Sequence, residues 1–565
     1  MSGSVARGSI ALAEVLQAAS RWLAQDPDPQ TRAELEDLIG RAAAADGDEA
    51  AAELVRRFDG RLQFGTAGLR GPLEAGPNGM NRVLVAQTAA GLARHLLGEG
   101  SDQSIVIGYD ARTNSHVFAE DIAQIMAGHG IRTTLLPSAL PTPVLATAVR
   151  RLDASAGVMV TASHNPAQDN GVKVFLGGAD GGSQIVRPDD ERIAAAIAQA
   201  ADEDISTYAR ASTFRIAGDD VVDFYVDATA RRGVPGAEPL RFVYTPLHGV
   251  GGRTARRVFV AAGFGDPISV PAQEHPDASF PTVPFPNPEE EGALDLAIEL
   301  ARSEGADLVI AHDPDADRLA VAIPARGGWR RLTGNEIGLL LGWRAAARAD
   351  RRGGSLVASL VSSPGLAEVA RIHELPAVET LTGFKYISRV PDLLFGFEEA
   401  LGYLVDPDKV RDKDGISAAV EFLSLAAEAR DRGVGIEEYL EELAERIGGH
   451  ASAQVSIRVE STAGIRAIMH RLRSVPPTAL AAEPVQKVSD FENGHDGFAP
   501  SDLLRFTLSG GARVIIRPSG TEPKLKAYID VRDDRGTGAE RLAHARARVA
   551  EIADDVRILL LEGRE

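Results

Sequence analysis

The sequence predicts an α/β protein that ends in an α+β domain, and three observations carry that expectation. From about residue 104 onward, apolar β-branched runs alternate with helical stretches, the arrangement that builds mostly parallel sheets. The rhythm restarts twice, near residues 240 and 355. The last section instead strings long strand-like runs together through short glycine turns, as antiparallel sheets do.

The elements follow in order. An alanine-rich helical leader runs to about residue 60, and its first amphipathic helix is stopped by the Asp-Pro repeats at Asp26 and Asp28. The first cycle comprises the strand "SIVIGYDAR", the helix "HVFAEDIAQIMAGHG" with its glycine stop, the strand "RTTLLP", the helix "TPVLATAVRRL" and the buried strand "ASAGVMVTAS". The second contains "LRFVYTPLHGVGG", the helical "RTARRVFVAAGFG", and an apolar strand broken by an acidic loop, "GADLVIAHDPDADRLAVAI". The third runs from "GSLVASLVSS" through "GLAEVARIHEL" to "AVETLTGFKYI". "ASAQVSIRVES", "LLRFTLSGGARVIIRPSGTEPKLKAYIDVR" and a closing helix form the last section. Domain boundaries are expected near residues 215, 330 and 455, giving 1–215, 216–330, 331–455 and 456–565.

Composition narrows the function classes. At 565 residues the chain exceeds one core, and domain size suggests three to five units. A net charge of -20 argues against nucleic acid or an anionic membrane as main partner. An anionic substrate must therefore be drawn in by a local basic cluster. Cysteine is absent, which removes disulfides and thiol chemistry and fits a reducing compartment. The N-terminus lacks a secretion-signal pattern, and no window has the apolar length of a bilayer span, so a cytoplasmic enzyme is expected.

The polar and glycine-rich clusters fall directly after apolar strands, where open α/β sheets place their ligands. In "HDPDADR", Asp313, Asp315 and Asp317 alternate; read as extended backbone, a period of two puts them on one side. Three such carboxylates repel strongly unless neutralised, and a hard divalent ion, Mg²⁺ above all, suits an all-oxygen set. The competing reading is a solvated acidic loop. Arg318 follows at once and can reach the same anion. "IIRPSGTEPK" brings Arg517, Ser519, Gly520 and Thr521 into a compact turn, either an anion nest or a surface hairpin. "FGTAGLRG" sets Thr66 and Arg70 among glycines, and "TLTGFKYISR" supplies Thr382 and Lys385. "GFEEALGY" offers Glu398 and Glu399, and "RDKDG" adds Arg411 and Lys413; carboxylates and cations together suit a phosphorylated polyol, or a surface ion-pair network. His248 in "TPLHGVGG" reads as structural.

In "VTASHNPAQDNGVKVF", Ser163 lacks the Gly-x-Ser-x-Gly pattern of a hydrolase, and the adjacent His164 makes a poor base because neighbouring loop side chains seldom meet well. A serine that carries a phosphoryl group needs no triad, only metal and cations around it.

Taken together, "TASHNP", "DPDADR", "GFEEALGY" and "RPSGTEPK", in that order, resemble the α-D-phosphohexomutases, the phosphoglucomutase and phosphomannomutase family, from about Phe64 onward. "FGTAGLRG", "TPLHGVGG" and "RDKDG" look most like the phosphoglucomutase-2 and phosphopentomutase branch. The resemblance implies three similar mixed α/β domains plus a C-terminal α+β domain around a central cleft. It implies a phosphoserine at Ser163, one Mg²⁺ held with Asp313, Asp315 and Asp317, and a sugar 1,6-bisphosphate as intermediate and activator. It places Arg70 and Lys173 at the transferring phosphate, Lys173 as a proton shuttle. It makes His164, Arg318, Thr382, Glu398, Glu399 and Lys413 substrate contacts, and gives the non-reacting phosphate to Arg517, Ser519, Gly520 and Thr521. The expected activity is isomerisation of aldose phosphates, glucose first, then mannose, then pentose. The alternatives are a metal-dependent phosphatase and a non-catalytic sugar-phosphate sensor. Ala400 departs from the serine that many members carry there, which removes a hydroxyl that reads the sugar.

Overall fold

The computed structural model describes residues 12–44, 47–65, 68–349, 353–459, 461–519 and 524–562. Contacts divide the chain into two compact units, the first comprising Met1–Gly233, Arg241–Leu319 and Asp408–Val420. The second comprises Val234–Leu240, Ala320–Pro407 and Glu421–Glu565.

In the first unit the leader forms three helices, Leu12–Gln25, Pro29–Ala42 and Asp48–Phe58. Val15, Ala19, Trp22, Leu35 and Leu54 bury themselves in the same core as Leu84, Ile107 and Val158 of the sheet domain that follows. The leader is thus part of that domain's packing, stabilised by apolar burial at about 25 cal/mol per Å². The sheet itself is mixed. Arg132–Leu135, Ser104–Tyr109 and Ala156–Val160 run parallel, and Asp169–Leu176 and Leu69–Pro72 continue it antiparallel. Val158, Met159 and Val160 are fully buried, as expected of a central strand covered by helices on both faces.

A second sheet in this unit pairs Leu308–Ala311 parallel with Phe242–Thr245, which pairs with Ile268–Ser269. The glycine turn after Phe242–Thr245 has a packing reason: a Cβ on Gly249 would lie 2.3 Å from the Cα of Pro314. Any larger residue would push the acidic loop away.

In the second unit, Ala377–Thr380 and Leu393–Glu398 flank Ser355–Ser359 in parallel, and Gly402–Leu404 closes the sheet antiparallel. The C-terminal sheet is antiparallel, in the order Gly449–Arg458, Lys524–Asp533, Arg513–Pro518, Leu504–Leu508, Glu483–Asp490. Ala545, Val549, Ile552, Val556 and Leu560 of the last helix, Gly538–Leu561, cover one face of it with Val455, Ile457 and Ile529. The fold class read from the sequence is the one observed. No helix among the described residues is long and apolar enough to cross a membrane.

Candidate active site

The first unit concentrates chemistry at the carboxyl ends of its parallel strands. Ser163 lies three residues beyond Ala156–Val160, and Asp313 two beyond Leu308–Ala311. Ser163 stands at φ +54°, a left-handed conformation that costs a non-glycine residue about 1–2 kcal/mol. Two neighbours impose it. The Ser163 backbone N–H donates to Thr161 Oγ1 at 2.8 Å. Arg112 donates to the carbonyls of Ser163 (2.7 Å), Asn165 (2.6 Å), Pro166 (2.7 Å) and Asp169 (3.1 Å). Bonds from a charged donor contribute about 1.5–3 kcal/mol each, so the loop holds its strained shape with margin. Thr161 is itself fixed by Asp110 Oδ2 at 2.6 Å. Asp110 and Arg112 escape the motif reading; their signal is their place, directly after the strand Ser104–Tyr109.

The aspartate triplet does not lie in extended backbone. The chain turns there, with the Ala316 N–H donating to the Asp313 carbonyl at 2.8 Å and Ala316 at φ +54°. The turn folds the three side chains inward, so that their ligand atoms lie within 4.8 Å of one another. All three aspartates are fully buried. Convergence by a turn thus takes the place of the expected alternation.

Around this cluster the structure gathers most of the residues singled out in the first unit. Ser163 Oγ donates to Asp313 Oδ2 at 3.0 Å. Lys173, on the strand beside Met159, donates to Asp315 Oδ2 at 2.6 Å and Asp317 Oδ2 at 2.8 Å. Lys413 Nζ lies 3.4 Å from Asp317 Oδ2. Arg318 Nε lies 3.9 Å from Asp313 and 4.0 Å from Asp317, and its backbone N–H donates to Asp313 Oδ1 at 3.0 Å. Thr142 Oγ1 donates to Asp315 Oδ2 at 2.5 Å and its backbone N–H to the Asp315 carbonyl at 3.0 Å. Arg70, on Leu69–Pro72, feels Asp315 and Asp317 and keeps a buried Nε with no hydrogen-bond partner.

Charge states follow from these contacts. Burial, then Asp317 and Asp315, pushes the Asp313 carboxyl well above its usual range. Burial also opposes ionisation of Asp317, but Lys173 and Lys413 outweigh it and hold it far below that range. For Lys173 burial is opposed by Asp315 and Asp317, and the ammonium ends above its ordinary value. Burial lowers Arg70, yet a guanidinium starts so high that it stays charged. Burial, then Arg318 and Arg70, keeps His164 far below its usual value, hence neutral. His164 Nδ1 lies 3.3 Å from Ser163 Oγ, so the neighbouring pair does approach, against expectation.

Asp315 Oδ1 and Asp317 Oδ1 are buried with no hydrogen-bond partner. These two orphaned oxygens, in a set of three carboxylates whose ligand atoms converge, suit a hard cation of the Mg²⁺ kind.

The remaining predicted residues belong to the second unit. Glu398 ends its strand and accepts from the Gly383 N–H at 2.7 Å, beside Thr382. Glu399 Oε2 accepts from Ser362 Oγ at 3.0 Å and Ser359 Oγ at 3.4 Å. Ser362 is in turn held through its carbonyl by Arg513, which also pairs with Asp530 at 3.0 Å and Glu379 at 2.9 Å. Arg517 and Ser519 sit half-buried at the end of Arg513–Pro518, with the Ser519 N–H donating to the Lys524 carbonyl at 2.8 Å. Gly520, Thr521 and Thr66 lie outside the described residues. His248 is packed structurally, its Nε2 2.8 Å from Thr282 Oγ1.

Comparison with known proteins places this arrangement. Profiles described as phosphoglucomutase/phosphomannomutase α/β/α domains I, II and III match residues 61–204, 223–327 and 333–447, and the profile of the family's C-terminal domain matches 465–552. The chain is 50% identical over 483 residues to the probable phosphomannomutase of Haemophilus influenzae, covering 85% of this chain and 98% of that protein. It is 34% identical over 571 residues to the phosphopentomutase of Homo sapiens, covering 91% of each. In fold it is similar to pp63/parafusin, a phosphoglucomutase from Paramecium, with a TM-score of 0.68 at 18% identity over 88% of this chain and 95% of that one. The chain belongs to the phosphoglucomutase/phosphomannomutase family of α-D-phosphohexomutases and is a sugar-phosphate isomerase of the intramolecular phosphotransferase class.

Proposed function

We propose that the protein is a phosphomannomutase that interconverts mannose 1-phosphate and mannose 6-phosphate through a phosphoryl group carried on Ser163. The observation that carries the mechanism is Ser163 Oγ, set 3.0 Å from Asp313 in a strained turn and ringed by cations. Mannose ranks ahead of glucose and pentose because identity to the probable phosphomannomutase is 50%, against 34% for the phosphopentomutase. This replaces the glucose-first order; the likeness to phosphopentomutases suggested by the motifs is retained at 34% identity, behind the probable phosphomannomutase.

In the forward step the phosphorus–Oγ bond at Ser163 breaks, a phosphorus–oxygen bond forms to the free sugar hydroxyl, and that hydroxyl's proton ends on Oγ. The sugar bisphosphate then reorients and returns its other phosphoryl group to Ser163. A Mg²⁺ held by Asp313, Asp315 and Asp317 supplies charge neutralisation at the transferring group. Arg70, Arg318, Lys173 and Lys413 balance the phosphoryl oxygens. Lys173 enters this scheme protonated, bound to two carboxylates, which suits it to charge compensation. The neutral His164, 3.3 Å from Oγ, is the better proton relay. Glu398 and Glu399 accept from sugar hydroxyls, with Thr382 beside them; Arg517, Ser519, Gly520 and Thr521 hold the phosphate that is not reacting. The four expected domains, 1–215, 216–330, 331–455 and 456–565, then divide the work into phosphoserine, metal, sugar and distal phosphate.

The test is a kinetic panel of mannose, glucose and ribose 1-phosphates with a trace of the matching bisphosphate, run beside Ser163→Ala. The largest kcat/KM is expected for mannose 1-phosphate. Ser163→Ala should lose at least about 10³-fold in kcat while still binding the sugar phosphate. Turnover by the alanine variant within tenfold of the parent would rule out the phosphoserine, and steady release of inorganic phosphate would identify a phosphatase instead.

A further inference from the structure

Lys413 reaches the aspartates from a segment that is distant from them in sequence. Asp408–Val420 follows the strand Gly402–Leu404, yet it packs within the first unit. Its attachment is dense. Arg150 Nη2 donates to the Asp408 carbonyl at 3.1 Å, and Gln184 Nε2 donates to Asp412 Oδ2 at 2.7 Å. A Cβ on Gly415 would fall 2.3 Å from the Arg318 carbonyl oxygen, so the segment lies directly against the metal-loop backbone.

The centre of this attachment is a buried ion pair that brackets Lys413 on both sides. Lys409 Nζ donates to Thr229 Oγ1 and Ser417 Oγ, both at 2.5 Å, and pairs with Asp414 Oδ2 at 2.9 Å. All three ammonium protons have acceptors. Nζ also stands 4.3 Å from the centroid of the Tyr225 ring. Asp414 Oδ1 accepts from Tyr225 OH at 2.7 Å and from the Ser417 N–H at 3.0 Å, so it also caps the start of helix Gly415–Asp431. Burial opposes the Asp414 charge, but Lys409 and the Ser417 bonds outweigh it and hold the carboxyl below its usual range.

Stability alone does not explain such a pair. Desolvating two charges costs about as much as their attraction returns, and well-packed apolar residues of similar volume serve a core at least as well. A fully bonded buried pair can instead restrict the backbone between its members, as buried polar groups do in some proteins. Here that backbone carries Lys413, whose ammonium faces Asp317.

We propose that Lys409, Asp414 and Tyr225 form a buried lock that positions Lys413 for phosphoryl transfer. They are positioning residues, acting only through Lys413, and the proposal rests on the phosphoserine reading above. Displacing a charge by about 1 Å from a transfer site costs on the order of 10²-fold.

The experiment is a double-mutant cycle on the full-length enzyme with Mg²⁺, measuring kcat, KM and melting temperature for Lys409→Met, Lys413→Met and the pair. Lys409→Met should lower kcat about 10–100-fold with KM within about threefold, and the pair should be no slower than Lys413→Met alone. Tyr225→Phe keeps the ring and removes one bond; it should lower kcat about 3–10-fold, and it carries the test if Lys409→Met does not fold. Multiplying losses in the pair, or unchanged kcat in a folded Lys409→Met or in Tyr225→Phe, would reduce the lock to a structural element. Parent enzyme whose Ser163 never becomes esterified by bisphosphate would overturn the underlying mechanism instead, so the two failures are distinguishable.

Discussion

Around Ser163, buried charges meet one another on every side, and even the loop's carbonyls are held by a guanidinium. At Arg517 a guanidinium stands half-buried at a strand end, its Nε donating at 3.3 Å to the neighbouring Pro518 carbonyl. On the proposed mechanism, the first region accepts strain and desolvation to fix the atoms that react. The second pairs its backbone in the sheet and keeps the Arg517 side chain partly exposed. If Ser163 carries the phosphoryl group as proposed, positional accuracy is concentrated where bonds change. Under the proposed function, Arg517 holds the far end of a substrate that presents either phosphate in turn, and there tolerance is a gain.

Four measurements test that contrast. The largest effect is expected in the first region. Asp315→Asn should lower kcat by at least about 10³-fold, and chelation of the parent enzyme should abolish turnover until Mg²⁺ is restored. Verified metal-free enzyme with full activity would remove the triplet from the mechanism. In the second region Arg517→Ala should raise KM about tenfold or more and change kcat less than about threefold, the signature of lost uniform binding. An equal fall in kcat and kcat/KM would show that Arg517 acts in the transition state, and that the two regions are built alike.

The smallest effect concerns stability against pH and compares one histidine from each unit. Burial holds His312 in the first unit and His450 in the second down at about 4. The unfolded chain takes up those protons near 6.5 while the folded chain refuses them, so stability is full above about pH 6.5 and is lost as pH falls toward 4. The fully buried His312 contributes up to about 3 kcal/mol to that loss. Denaturant unfolding at pH 7, 6 and 5 reads it directly. A slope unchanged by His450→Gln would show that the second unit's share has another source.

Local pattern was enough for the strand and helix rhythm, because apolar period and glycine stops act over a few residues. It was also enough to mark Ser163, Asp313, Asp315, Asp317 and Arg318 as a chemical set, whereas Lys173 came only with the family resemblance. It misjudged the shape of the acidic loop, since a period of two describes extended chain and a turn obeys different geometry. It missed Arg112, whose work is done on carbonyls more than 50 residues away, and Arg513, which grips the Ser362 carbonyl from another domain's strand.

The sequence by itself determined the fold class, the order of the domains and the kinds of side chain available at each strand end, all properties of short-range periodicity and residue chemistry. Only the tertiary structure decided which of those groups meet. It set a strained serine against aspartates 150 residues away and carried Lys413 back to them through a buried pair. The physical reason is that desolvation and Coulomb terms depend on distances between remote segments, which packing sets and local pattern does not encode.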